Sequence, residues 1–208
     1  MRIKIFFVTL LITIPKSYFV WSVTETVGGY FCVANDNVLS KEFGTSDDAT
    51  IFQNQPQISA GREQILVGNT PNGQRRALLK FATKSFESFP RDAKIVCAEI
   101  RLYAVVANED RGKIPVPSTR LHQVTSDWTT TGNTELASIN GGFVNKGDTT
   151  WTYSKYPYVK WKCLGGDFNP VVLSTETLAD DLHWFGDTPE MTQLAQNGSM
   201  AVHQITVL

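Results

Sequence analysis

The run Arg75-Arg76-Ala77-Leu78-Leu79-Lys80-Phe81 holds the side chains best placed to do chemistry. In an extended chain, successive side chains point to opposite faces. Arg76, Leu78 and Lys80 therefore share one face, and Ala77, Leu79 and Phe81 the other. The second face suits a core, while the first offers two cations. A guanidinium fork meets a carboxylate at two points and an ammonium adds a compact charge, so this face fits an anionic partner. Arg101 joins the same surface if its strand is a neighbour. The ordinary alternative is that these cations are solvated and paired with Glu99 or another carboxylate, which would contribute little.

Aromatic residues extend the same chemistry. Trp128, Trp151, Trp161 and Trp184 are able to stack on sugar rings, and Tyr153, Tyr156 and Tyr158 crowd one loop region. Large aromatics in a β-protein more often pack inside, which is the expectation for Trp128 and Trp151. Trp161 and Tyr158 are the aromatic candidates for ligand contact.

Catalytic groups are sparse. The three histidines are His122, His183 and His203, and neither GxSxG nor HExxH occurs. A β-elimination lyase would have Tyr156 and His122 as nominal acid and base, but a single histidine on a strand is more often a satisfied structural residue. A non-enzymatic protein is expected. Asp47, Asp48 and Asp167 raise structural calcium, a hard cation bound by oxygen. They lack EF-hand spacing, and turn capping explains them as well, so the cofactor expectation is none.

The three cysteines are Cys32, Cys97 and Cys163. Their spacing matches no zinc site. Cys97 and Cys163, both in strand-rich sequence, are the preferred disulfide pair, worth about 4 kcal/mol on the chain-entropy model. The odd cysteine is then available for an intermolecular bond.

The elements that position these groups are short. Residues 1–22 read as a secretory signal: Arg2 and Lys4, then an apolar run from Ile5 to Ile14, with cleavage near Ser22. That run is shorter than the roughly 20 residues a bilayer-spanning helix needs. A secreted, extracellular product without a membrane span is expected. Residues 23–46 are a lead-in, and 47–208 form a single domain. Strand-like runs at 64–67, 75–81, 94–106 and 119–124 are separated by Gly, Pro and Asn turns. Thr188 caps a short helix at 189–196 that carries Pro189 and Glu190 in its first turn. Asn197-Gly198-Ser199 is the N-glycosylation sequon. Lys and Arg number 19 against 20 Asp and Glu, a formal charge of −1, which argues against a nucleic-acid partner. The pattern is that of an all-β sandwich.

Seven segments, in order, carry a family likeness. They are Asp48-Ala49-Thr50-Ile51, Leu66-Val67-Gly68, Arg75 to Phe81, Glu99-Ile100-Arg101-Leu102-Tyr103, Leu121 to Trp128, Gly147-Asp148-Thr149-Thr150-Trp151, and Trp161 with Gly165-Gly166-Asp167-Phe168. Over residues 47–196 the chain resembles the DNRLRE domains, which overlap the family 96 carbohydrate-binding modules. The resemblance implies a jelly-roll-like β-sandwich from extracellular proteins that binds polysaccharide, with acidic glycans in at least one branch, and performs no catalysis. The family pattern continues past the helix into further strands. Gln204-Ile205-Thr206-Val207-Leu208 is the segment here that would supply one.

Overall fold

Frequent turns and β-branched residues leave short strands, and two sheets collect them. The computed structural model describes residues 2–13, 38–43, 45–60, 65–70, 72–81, 94–105, 118–131, 141–177, 181–186, 188–196 and 204–207. The smaller sheet contains β1 (Arg2–Thr13), β2 (Val38–Phe43), β5 (Ile65–Leu66), β8 (Lys94–Val105) and β14 (Asp181–Gly186). Its order is β14-β8-β1-β2, with β5 also pairing β1. The larger sheet contains β3 (Thr45–Phe52), β4 (Ile58–Ala60), β6 (Gly68–Thr70), β7 (Gly73–Phe81), β9 (Ser118–Val124), β10 (Gly142–Phe143), β13 (Phe168–Thr177) and β15 (Gln204–Val207). Its order is β10-β4-β3-β7-β15-β9-β13, with β6 on β7. A small hairpin, β11 (Tyr153–Lys155) and β12 (Val159–Lys160), stands apart, and one helix, α1, spans Pro189–Gln196. The fold is an all-β sandwich, as the turn-punctuated pattern predicts.

Three sequence expectations meet the backbone directly. Met191 donates its N–H to Thr188 Oγ1 at 3.2 Å, so α1 starts at its expected cap and buries Met191 and Leu194. Gln204–Val207 inserts between β7 and β9, pairing Gln204 with Lys80 and Val207 with both Ala77 and Leu121. Residues 5–13 of the apolar run read as a signal lie in β1, paired with β8 and β2; the expected cleavage point near Ser22 lies outside the described residues.

Strand β7 is the centre of the site's scaffold. Ala77, Leu79 and Phe81 are buried, as the alternation predicts. Leu78, on the opposite face, is buried too. Opposed residues of an antiparallel pair share a face. Ala49 opposite Leu78 and Ile51 opposite Arg76 therefore belong to the face of Arg76, Leu78 and Lys80. Both cluster with Leu78, Val124, Trp128, Trp151 and Trp161. The face of Ala77, Leu79 and Phe81 closes against the smaller sheet, where Leu66 of β5 packs on Phe52 and Ala60. Thr50 ties the two sheets on that side by accepting the Leu66 N–H at 2.8 Å.

Candidate functional site

The face of β7 that carries Arg76 and Lys80 is covered by the chain's own tryptophans. Trp128, Trp151 and Trp161 sit over Leu78 and are buried. Burying three indoles beside two cations favours cation–π contact over solvation. The Arg76 guanidinium lies 4.7 Å from the Trp151 ring and 5.3 Å from Phe168. Its Nη1 donates to Gly165 O at 2.8 Å, and Nε and Nη2 both donate to Gln74 Oε1 at 3.2 and 3.0 Å. Burial pulls its pKa below the ordinary arginine value, though a guanidinium stays protonated in proteins. Arg76 is thus a clamp between β7 and the loop before β13.

Gly165 explains how that clamp closes. Its φ is +85°, and a Cβ there would lie 2.7 Å from both Arg76 Nη1 and a Trp151 ring carbon. A glycine both adopts this backbone and leaves room for the guanidinium. The same loop is fixed by Asp167, whose carboxylate accepts Ser126 Oγ at 2.7 Å and the Cys163 N–H at 2.8 Å. Burial pushes the Asp167 pKa up. The Ser126 hydroxyl, the Cys163 and Lys162 N–H groups and the Lys162 charge outweigh it, and the net shift is downward.

Lys80 lies at the other end of the same face. Its Nζ donates to Asp127 Oδ1 at 3.0 Å and to Trp128 O at 3.1 Å, and sits 5.7 Å from the Trp128 ring. Lys155, from the hairpin, donates to Asp127 Oδ2 at 2.7 Å. Burial alone would raise the Asp127 pKa, but hydrogen bonds and charge from Lys155 and Lys80 prevail and lower it.

The hairpin itself is held from below. Buried Asp148 accepts Thr131 N at 2.6 Å, Thr131 Oγ1 at 2.9 Å and Asn145 N at 2.7 Å. Its backbone carbonyl then accepts the Tyr156 N–H at 2.8 Å, and Gly147 N donates to Tyr156 O at 2.6 Å. Trp161 closes the base by donating Nε1 to Thr150 O at 2.8 Å. On this support, Tyr158 stands out at the turn, 68% exposed, followed by half-exposed Val159. Lys155 and Lys160 flank the turn. The Lys160 ammonium lies 5.7 Å from the Tyr153 ring, which in turn meets Tyr156 edge-on at 5.4 Å.

The structure therefore redistributes the sequence candidates. Tyr158 is exposed, whereas Trp161 is only 5% exposed and its indole is spent on the hairpin base. Arg101 is on β8, in the smaller sheet, so it does not join the surface of Arg76 and Lys80; alternation fixes a face but not a sheet. Cys163 is an exposed free thiol, so the expected Cys97–Cys163 bridge is not made. Cys97 lies on β8, paired with Leu11 in the smaller sheet, while Cys163 is tied by its N–H to Asp167 in the loop over the larger one.

Asp47 and Asp167 accept hydroxyl hydrogen bonds from Thr130 and Ser126. Among the described residues no three His, Cys, Asp or Glu gather as a metal site would require. His122 is buried, with Nδ1 bonded to Asn169 O at 3.0 Å and its ring 5.2 Å from Phe168. Asn197 lies outside the described residues. Lys155 and Asp127 are the site residues that strand alternation missed. Their signal was weak: a lysine within Tyr153-Ser154-Lys155-Tyr156, and an aspartate beside Trp128. Comparisons with family models, with characterised proteins and with solved structures return no match.

Proposed function

We propose that the protein is a secreted, non-catalytic carbohydrate-binding module for an acidic, uronate-containing polysaccharide, and that its contact surface is the Lys155–Lys160 hairpin. The observation that carries this reading is Tyr158, 68% exposed at the tip of a braced turn with a lysine on each side. An exposed aromatic ring stacks on the apolar face of a sugar, and ammonium groups beside it attract carboxylates. The bracing through Asp148 reduces the ordering cost of binding. The family likeness of the seven sequence segments supports the same function.

Retention of the protein on neutral and acidic polysaccharides, at low and raised salt, tests the proposal. Uronate polymers should retain it, salt should weaken the retention, and Tyr158→Ala or Lys160→Ala should reduce it with unchanged melting temperature. A folded sample that no acidic polymer retains overturns it. Secretion predicts loss of residues 1–22, which would withdraw β1 from the smaller sheet, and the N-terminal mass of the exported protein decides that point.

A second reading, a structural extracellular module, is favoured by one observation: Cys163 is exposed and free. Disulfide-linked dimers on a non-reducing gel, abolished by Cys163→Ser, would support it.

A further inference from the structure

Two lysines from distant parts of the chain converge on a single carboxylate. Lys80 of β7 takes one oxygen of Asp127 at 3.0 Å, and Lys155 of β11 takes the other at 2.7 Å. The Lys80 ammonium is held by more than this carboxylate, and the Lys155 backbone is fixed by its turn. Lys80 also donates to Trp128 O at 3.1 Å and lies over the Trp128 ring. Lys155 belongs to the turn closed by the Tyr158 N–H on Lys155 O at 2.7 Å. Asp127 is the outlying member: its side chain is 59% exposed, against 24% and 35% for the lysines.

We infer that Lys80 and Lys155 form a seat for one carboxylate of the bound ligand, and that Asp127 occupies this seat in the free protein as an internal competitor. The inference rests on the uronate reading above and names the subsite within it. Exchange of one carboxylate for another preserves a contact to each ammonium, so the lysines need not be stripped and re-paired. Asp127, once displaced, turns to solvent that already reaches it. Tyr158 is one turn along the hairpin from Lys155. A chain that stacks one sugar on Tyr158 is to offer the carboxylate of another to the seat.

Asp127→Asn keeps the side-chain shape and removes the competitor's charge. Binding of polygalacturonate by the full chain, with dextran as the neutral control, should tighten by about 3- to 5-fold, the scale of an exposed ion pair. Lys155→Ala in the same background should erase the gain, while dextran binding stays unchanged. If the unmodified protein binds polygalacturonate and Asp127→Asn binds it no better, the seat is overturned while the glycan reading stands. If only Asp127→Asn binds, the seat stands and the unmodified protein is not a uronate binder. If neither binds, with melting temperatures intact, both fall.

Discussion

Arg76 and Lys80 lie four positions apart on one face of β7, and the loops above treat them in opposite ways. Arg76 is enclosed by Gln74, Gly165, Trp151 and Phe168. Lys80 reaches the edge of the tryptophan layer and meets Asp127 where water has access. The same strand thus carries a cation that builds the fold and a cation that faces outward. Residue type and alternation do not separate these roles; the loop that arrives overhead does. A fork with five donors fits a crowded junction of backbone and rings, while a long flexible ammonium suits an edge.

The contrast is broken most readily at Arg76. Arg76→Ala leaves Gly165 O and Gln74 Oε1 without their donor and opens space beside Trp151. It should cost about 3 kcal/mol, read as a lower urea midpoint. Stability near that of the unmodified protein would mean that Arg76 is not a clamp.

Gly165→Ala attacks the same junction from the loop side. A residue with a Cβ is strained at positive φ and collides with the guanidinium, so a loss of about 2 kcal/mol is expected by the same measurement.

Acid should loosen this end as well. The folded pKa of Asp167 is depressed, so its stabilisation is complete above the ordinary aspartate value of about 4. It fades as pH falls through the lower folded value. Thermal melts of Asp167→Asn and the unmodified protein should differ at neutral pH and converge in acid.

The smallest stability effect belongs to the outward end. Lys155→Ala should change stability by no more than about 1 kcal/mol, yet weaken retention on acidic polymer. A stability loss matching that of Arg76→Ala would erase the distinction between the two ends.

Much of the scaffold was legible in the residues. Alternation located β7 and β8, Thr188-Pro189-Glu190 marked α1, and Gln204–Val207 was recognisable as a strand. The inner face of β7 was legible as well, because Ala77, Leu79 and Phe81 repeat with period two. What lay beyond reach was the cover. Nothing local to Leu78 announces that three indoles will settle on it, since they arrive from the loops before β10, β11 and β13. Trp161 looked like a ligand platform because an indole that closes a hairpin base and one that stacks on sugar are the same residue. The run Ile5 to Ile14 satisfies the patterns of both a signal and a buried strand, so hydrophobicity alone does not choose. The Lys80–Asp127–Lys155 contact is set by tertiary geometry, which ion-pair residues do not encode by spacing.

The place of β15 bears on how the molecule assembles. The hydrogen-bonded path from β7 to β9 runs through it, and its pairing joins residues 77–80 to residues 204–207. Such a remote closure is slow to find. Until it forms, the larger sheet is two separate β-units, each with an open inner edge, and open edges recruit other chains. Folding of the larger sheet is therefore a zipping of two ready halves by one short strand, and the species most prone to aggregate is the one still waiting for it.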